Sequence, residues 1–483
     1  MEITIPPFDI KSIAPILIMT ISGIVVLIAD VFFKRVLRDK LAYLSLIGII
    51  IAGVVTFTQI GTTVYSFSDT FVVDNYSLFF NFIFLVSTAI VILMSVGYVK
   101  QEGINYGEYY TLILFATMGM MLMAGGSDLI TIFLGLEIMS ISLYVLAGFR
   151  RNRLDSNEAS LKYFLLGAFA TGFLLYGIAM LYGATGTTNI KGIAAFLANN
   201  PALSNPMIIT GSSLLIIGFG FKIASVPFHK WTPDVYEGAP TAITAFLSAG
   251  PKAAAFAAFF RVFLVSLPGL EPKWSIILWV VAVLTMTVGN VVAIAQTNIK
   301  RMLAYSSIAH AGYALIAIVA ANSLGTASML FYMLAYIFMN LGAFAVVIVL
   351  GRKGEENLMI EDYNGLGYKH PLLAITMSIF MFSLAGIPPL AGFVGKFYIF
   401  SAAIKSGYIV LAVIGVINSV IAVYYYLRVT VVMYMKAPTR EFAPLSLSPY
   451  IIVALILSVW GTIHLGIFPA RIIEFAQKST LLY

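Results

Sequence analysis

The chain has 483 residues, of which 60% are hydrophobic and only 10% are charged, and its mean hydropathy is +0.98. No soluble domain buries that much apolar surface, so the composition excludes a soluble protein and indicates one that lies in lipid. The net charge of +7 comes mostly from short loops and predicts no nucleic-acid partner. The absence of cysteine excludes thiolate-held zinc, iron–sulfur clusters and disulfides, and the four scattered histidines predict no metal site.

Fourteen apolar stretches are each long enough to cross the hydrocarbon core of a membrane as a helix. The sequence therefore predicts an all-α polytopic membrane protein. In chain order the predicted spans cover residues 12–33, 39–60, 77–98, 109–126, 127–149, 159–184, 207–228, 240–266, 274–295, 301–320, 326–350, 371–404, 407–434 and 449–470.

The loops between these spans predict the orientation. If the amino terminus lies outside, the inside loops hold 16 basic residues and the outside loops and ends hold six. The positive-inside rule therefore favours both termini outside. The 16 predicted inside residues are Lys34, Arg35, Arg38, Lys40, Lys100, Arg150, Arg151, Arg153, Lys230, Lys300, Arg301, Arg352, Lys353, Lys369, Lys436 and Arg440.

Six basic residues and one deep acid remain within the predicted spans, where a central charge costs about 2.5–3.5 kcal/mol. Arg261 and Arg428 lie near helix ends, so we expect them to snorkel to the headgroups. Lys162, near an inner end, fits a structural and a functional role equally. A structural ion pair would account for only one acid and one base among the remaining four, so these four residues predict a proton relay: Glu137, Lys222, Lys252 and Lys396.

Two spans carry a similar proline signature. Lys222-Ile-Ala-Ser-Val-Pro227 occurs in the seventh span, and Ser383-Leu-Ala-Gly-Ile-Pro388, followed by Pro389, occurs 161 positions later in the twelfth. Proline frees backbone carbonyls, and paired interrupted helices in a transporter indicate an ion pathway. Because five spans separate the copies, the sequence predicts two inverted five-helix repeats with discontinuous helices 7 and 12.

The predicted organisation is a single membrane domain, 1–483, without soluble modules. An N-terminal three-helix segment covers 1–106, and the first repeat, helices 4–8, covers 107–266. The second repeat, helices 9–13, covers 274–434, and a C-terminal helix and tail cover 449–483.

Three long motifs resemble a known family, and the resemblance extends over essentially the whole chain. Val226–Ala254 reads VPFHKWTPDVYEGAPTAITAFLSAGPKAA and is similar to the N-type subunits of bacterial respiratory complex I, the counterparts of mitochondrial NADH dehydrogenase subunit 2. Gln296–Tyr313 (QTNIKRMLAYSSIAHAGY) and Leu384–Phe400 (LAGIPPLAGFVGKFYIF) are typical of the wider antiporter-like subunit family.

The resemblance implies roles for individual residues. Glu137 and Lys222 match an acid–lysine pair, Lys252 matches a central lysine, and Lys396 matches a lysine near a proton exit. Lys162 matches a sixth-helix lysine that modulates the pair. His229 and His310 are accessory candidates for hydrogen-bonded water chains, although a polar residue at a helix end or packing seam is the simpler interpretation of each.

The resemblance also implies the setting. The chain is expected in the bacterial cytoplasmic membrane as a proton-translocating subunit without a redox centre. FMN, iron–sulfur clusters and quinone are expected in partner subunits. The expected neighbours are other antiporter-like subunits, small membrane subunits and lipid.

Three alternatives remain open on the sequence. The chain could serve a multi-subunit sodium–proton antiporter or a membrane hydrogenase. It could belong to the ferredoxin-using photosynthetic relative of complex I. It could also be a membrane scaffold that transports nothing, in which case the four buried charges would be dispensable.

Overall fold

The computed structural model describes residues 9–32, 38–200, 205–351, 358–438 and 447–481. The chain before the first repeat folds as α1 (Ala14–Phe32), α2 (Asp39–Thr58), a hairpin of β1 (Val64–Ser66) and β2 (Phe71–Val73), and α3 (Asn75–Gln101). In the hairpin, Val64 pairs with Val73 in antiparallel register. Both termini and five of the predicted inside residues lie outside the described residues: Lys34, Arg35, Arg352, Lys353 and Arg440.

The remaining elements are almost all helices. The first repeat contains α4 (Gly107–Gly125), α5 (Leu129–Ala147), α6 (Leu154–Thr185), α7 (Ile190–Asn199), α8 (Pro206–Ile223), α9 (Trp231–Gly238) and α10 (Thr241–Arg261), which continues as a π-turn (Val262–Ser266). The 3₁₀ turn Pro268–Leu270 then leads to α11 (Glu271–Ile294), α12 (Ile299–Ala320) and α13 (Ser323–Leu350). The 3₁₀ turn Ile360–Tyr363 leads to α14 (Leu366–Lys369), α15 (Pro371–Ala385), α16 (Ala391–Lys405), α17 (Ile409–Met435), α18 (Pro449–Ile467) and α19 (Ala470–Lys478).

The predicted fold class is confirmed. Within the described residues, 13 helical stretches are long and apolar enough to cross a membrane, and all of them fall on predicted spans. The predicted twelfth span is the pair α15 and α16, each of 15 residues and too short to cross alone. Together they occupy the predicted twelfth span, which stays a prediction as a single crossing.

Both discontinuities lie at the predicted prolines. Helix α8 ends at Ile223, and Ala224 takes the left-handed conformation (φ 61°) ahead of Pro227. Helix α15 ends at Ala385, followed by Gly386 (φ 90°) and the Pro388–Pro389 pair. The backbone groups freed by the first break find side-chain partners, as membrane burial requires: Thr285 Oγ1 accepts from the Val226 amide, and Trp231 Nε1 donates to the Phe221 carbonyl.

Matching contacts recur in the two repeats. Asp128, before α5, forms an antiparallel bridge with Asn189, and Asn298 and Met359, each 170 positions later, form the same bridge before α12. Helix crossings repeat as well. A Cβ on Gly119 would lie 2.7 Å from the Met139 amide nitrogen, and one on Gly289 would lie 2.7 Å from that of Ala309.

The last helix of each repeat carries an arginine that contacts the end of another helix. Arg261 Nε donates to the Ala124 carbonyl at the end of α4, and Arg428 Nη1 donates to the Ile294 carbonyl at the end of α11. Because α4 and α11 are the fourth and ninth spans, they run in opposite directions. The paired contacts are those expected of inverted five-helix repeats, while the exact segment boundaries stay predictions.

The arginines correct one expectation. Arg261 does not snorkel, because its side chain is buried and forms a bidentate ion pair with Asp74 at 2.9 Å for each nitrogen–oxygen pair. Arg428 is half-buried and bonds the carbonyls of Ile294 and Gln296. The sequence indicated the depth of each arginine but could not supply Asp74, which lies 187 positions away.

Helix α10, the last helix of the first repeat, packs against helices of both repeats and of the N-terminal segment. All residues of α10 are buried, whereas only 28% of the spanning window of α1 is buried. Helix α10 packs against α3, α4, α12 and α13. A polar side chain on α10 is therefore enclosed by protein and not by lipid.

Candidate proton-relay site

Lys222 lies on the last turn of α8, directly before the break. Its side chain is buried, and Nζ donates to Ser140 Oγ on α5 at 2.6 Å. The ring centroids of Tyr144 and Tyr163 each lie 5.4 Å from Nζ, which is cation–π distance. The ammonium group is thus enclosed by one hydroxyl and two aromatic rings.

Glu137 lies one helical turn before Ser140 on α5. The residue is half-buried, and within the described residues its buried Oε1 atom has no hydrogen-bond partner. No ion pair within 4.0 Å joins Glu137 to Lys222 among the residues that the structure describes. Ser140 holds the lysine in this conformation, and the direct acid–lysine pair implied by the family resemblance stays a prediction.

Lys252 lies in the middle of α10, as the sequence predicted. Its Nζ donates to the Ser307 carbonyl at 2.8 Å and to Ser307 Oγ at 2.5 Å. The offset of 170 positions that relates the repeats places Ser307 where the first repeat has Glu137. The central lysine therefore bonds a neutral residue at the position where the other repeat carries an acid.

His310 continues the polar path from Lys252. Ser306, next to Ser307, shares a hydrogen bond with the Tyr426 hydroxyl. Tyr426 in turn lies 3.1 Å from His310 Nε2, and Tyr332 Oη lies 2.5 Å from His310 Nδ1. His310 is thus a buried residue with both ring nitrogens bonded, in a position between two of the predicted relay lysines.

Lys396 lies on the first turns of α16, after the second break. Its Nζ donates to the carbonyls of Leu384 and Ala385, at 3.1 and 3.0 Å, and to Ser419 Oγ at 2.9 Å. The Tyr313 ring centroid lies 4.6 Å from Nζ. The carbonyls are those at the end of α15, where the helix dipole favours a cation.

The groups that hold the lysines were missed by sequence reasoning. Ser140, Ser307 and Ser419 each accept from one lysine, and each comes from a different helix. Serine is common on packed membrane helices, so its residue type alone does not distinguish these positions. The one available signal was the pair Ser306-Ser307 within the motif Gln296–Tyr313, which resembles the antiporter-like subunit family.

Lys162 joins a charged cluster on a different part of the structure. Its Nζ forms ion pairs with Glu158 at 2.6 Å and Asp234 at 2.9 Å, and Arg301 contacts Asp234 at 3.1 Å and Glu237 at 2.6 Å. Partial burial raises the pKa of the Asp234 carboxyl, but hydrogen bonds from Lys162 and Arg301 outweigh it and hold the pKa below its usual value. The cluster ties α6, α9 and α12 together.

His229 lies in the segment between α8 and α9. The residue is half-buried, and within the described part of the chain its buried Nδ1 atom has no hydrogen-bond partner. Burial and the charge of the adjacent Lys230 lower the pKa of the imidazole. The structure therefore places His310, but not His229, among groups that hydrogen-bond near the relay lysines.

Buried amines that bond oxygen acceptors can take up and release protons. No cluster of three His, Asp or Glu side chains that could bind a metal ion is found among the described residues. The three lysines are each buried, and each has an oxygen acceptor within 2.9 Å.

Comparisons with known proteins place the whole chain in a family. Residues 126–422 match the family model described as NADH:quinone oxidoreductase/Mrp antiporter, transmembrane. The NADH-quinone oxidoreductase subunit N of Trichlorobacter lovleyi is 55% identical over 474 residues, which cover 98% of this chain and 97% of that protein.

Two solved structures are also similar. A chain of respiratory complex I from Thermus thermophilus is 33% identical, with a TM-score of 0.82, over 95% of this chain and 98% of that chain. A chain of the Mrp complex from Dietzia sp. is 21% identical, with a TM-score of 0.85, over 98% of this chain and 97% of that chain, which shows a shared fold. This chain therefore belongs to the NADH-quinone oxidoreductase subunit N family, within the wider NADH:quinone oxidoreductase/Mrp antiporter family.

Proposed function

We propose that this chain is a proton-translocating membrane subunit of complex I. It couples the transfer of electrons from NADH to quinone, in other subunits, to proton movement through Glu137, Lys222, Lys252 and Lys396. The observation that carries the proposal is the set of three buried lysines, each with a neutral oxygen partner, in a chain 55% identical to a subunit N.

The proposed sequence of steps begins on the inside. A proton enters and is held on Lys222 while the charge of Glu137 is near. A change of charge in a neighbouring subunit alters the interaction between Glu137 and Lys222. The proton then passes through water to Lys252 and Lys396 and leaves on the outside. Moving one charge against 100 mV costs about 2.3 kcal/mol, so the energy comes from the partner subunits.

The proposal assigns this chain a non-redox role in a larger translocase. FMN, iron–sulfur clusters and quinone are bound by partner subunits, which include antiporter-like and small membrane subunits. The chain lies in the bacterial cytoplasmic membrane with both termini on the periplasmic side. The excess of basic residues in the predicted inside loops supports this orientation.

A second candidate is an antiporter-like subunit of a sodium–proton exchanger. The fold shared with a chain of the Mrp complex supports it, although 21% identity carries the fold alone. Purification of the intact complex distinguishes the candidates. Flavin and iron–sulfur subunits that purify with the chain would indicate complex I, small antiporter subunits would indicate an exchanger, and nickel–iron subunits would indicate a hydrogenase.

The proposal is tested with two variants in the intact complex, Lys222→Ala and Glu137→Gln. Each removes one charge from the relay, so we expect NADH:quinone reductase turnover and proton pumping into vesicles to fall together, by about tenfold or more. Lys478→Ala serves as the control because its exposed side chain pairs only locally with Glu474. Normal pumping and turnover in a fully assembled Lys222→Ala complex would show that the relay assignment is wrong.

A further inference from the structure

A groove lies on the exposed side of α5 and α6. It has a volume of about 540 Å³, and its walls include Ile141, Val145, Leu161 and Phe164. We call it the α5–α6 groove. Its walls are exposed in part, with relative accessibilities of 57% for both Ile141 and Leu161. Such side chains in a membrane helix contact lipid or another protein.

One end of the groove is polar and basic. Arg151, Asn157 and Ser160 line it, and the Arg151 side chain is exposed. Within the described residues, no ion pair or side-chain hydrogen bond engages the Arg151 guanidinium, although Asn157 fixes its backbone carbonyl at 2.9 Å. The flanking arginines differ, since Arg150 pairs with Glu102 and Arg153 pairs with Asp155.

The dimensions of the groove favour a lipid over a helix from another subunit. From Asn157 to Phe164 the α6 wall rises about 10 Å at 1.5 Å per residue. A spanning helix would need a matching surface over about 30 Å of hydrocarbon. A short apolar groove beside an exposed arginine instead complements a phospholipid. The groove fits an acyl chain, and the guanidinium fits the anionic phosphate.

We propose that the α5–α6 groove binds one anionic glycerophospholipid, with its phosphate on Arg151 and an acyl chain between Val145 and Leu161. The same site borders the predicted relay. Tyr144 lines the groove, and its ring centroid lies 5.4 Å from Lys222 Nζ. The bound acyl chain therefore contacts the aromatic ring that encloses the first relay lysine.

The experiment uses the intact complex in proteoliposomes that contain phosphatidylglycerol with a photoactivatable diazirine on one acyl chain. After illumination, mass spectrometry locates the cross-linked peptides of this chain. We expect cross-links within residues 141–164. Diazirine-labelled phosphatidylcholine, which carries no net charge, serves as the comparison and should give far fewer cross-links there.

Paired variants separate the site from general lipid contact. Arg151→Gln removes the proposed phosphate ligand, whereas Arg153→Gln removes a neighbouring arginine that already pairs with Asp155. Leu161→Trp fills the groove, whereas Leu165→Trp enlarges an exposed residue that does not line it. We expect loss of the cross-links with the first variant of each pair and their retention with the second.

Three outcomes would overturn the proposal. Equal cross-linking by phosphatidylcholine would mean ordinary lipid contact, and retention in Arg151→Gln would remove the role of the guanidinium. Absence of cross-links from both lipids would mean that no lipid occupies the groove. A photoreactive amino acid at position 161 would then identify a neighbouring subunit in its place. The readout needs no enzymatic turnover, so it stands apart from the test of the proposed function.

Discussion

The two repeats place their lysines on opposite sides of the helix break. In the first repeat Lys222 precedes the break and bonds a side chain, Ser140, one turn from Glu137. In the second, Lys396 follows the break and bonds two carbonyls of the interrupted helix in addition to Ser419. The first repeat thus holds its lysine with one hydroxyl close to an acid, whereas the second holds its lysine mainly with backbone carbonyls.

The arginines on the last helices of the two repeats show the same kind of difference. Arg261 and Arg428 make equivalent contacts with the carbonyl ends of α4 and α11. Arg261 also pairs with Asp74, the residue that caps α3 outside the repeats. The N-terminal segment is therefore joined to the first repeat by the ion pair between Asp74 and Arg261. The two repeats share the arginine–carbonyl contact, but only the arginine of the first repeat has this acidic partner.

The largest effect is expected for the buried ion pair. Asp74→Asn keeps an effective helix cap, since asparagine caps as well as aspartate, but leaves Arg261 buried without a counter-charge. Breaking one side of a buried pair costs about 3–5 kcal/mol. We expect a clearly lower dissociation temperature of the purified complex. Arg428→Gln removes an arginine that, among the described residues, bonds only carbonyls, so it should shift the dissociation temperature far less. Equal shifts would remove the distinction between the arginines.

A smaller effect is expected where the lysines lose one hydroxyl. Ser140→Ala removes the hydrogen bond of Lys222, whereas Ser419→Ala leaves Lys396 bonded to two carbonyls. A hydrogen bond to a charged group contributes about 1.5–3 kcal/mol. Proton pumping per quinone reduced should therefore fall more in Ser140→Ala than in Ser419→Ala. The reverse order would mean that the carbonyls do not hold Lys396 as inferred.

The smallest effect is expected at Lys162. The offset of 170 positions relates Lys162 to Tyr332, which bonds His310 in the second repeat. Lys162→Ala removes the ion pairs with Glu158 and Asp234, in which the lysine is 40% exposed, and each such pair contributes about 0.2–1 kcal/mol. Tyr332→Phe should slow reductase turnover more, because it leaves a buried imidazole nitrogen unbonded. A severe loss in Lys162→Ala would favour the modulating role that the resemblance implies.

Much of the architecture followed from sequence. The apolar stretches predicted every span because a helix must satisfy its own backbone in lipid, and the prolines predicted both breaks. Charged residues in the middle of an apolar span, such as Lys252, were also evident from the sequence because placing a charge there costs so much free energy. The partner serines and tyrosines and Asp74 could not be picked out from the sequence. Polar residues that are inexpensive to bury, or that lie at a helix end, form no distinguishing pattern in an apolar chain.

By itself, the sequence determined the membrane class and the position of the predicted spans, since each depends on the local cost of placing a residue in hydrocarbon. Only the tertiary structure decided the partner of each charge. Ser307 reaches Lys252 across 55 positions, and Asp74 reaches Arg261 across 187. Such pairs depend on how distant helices pack, and no local pattern encodes that distance.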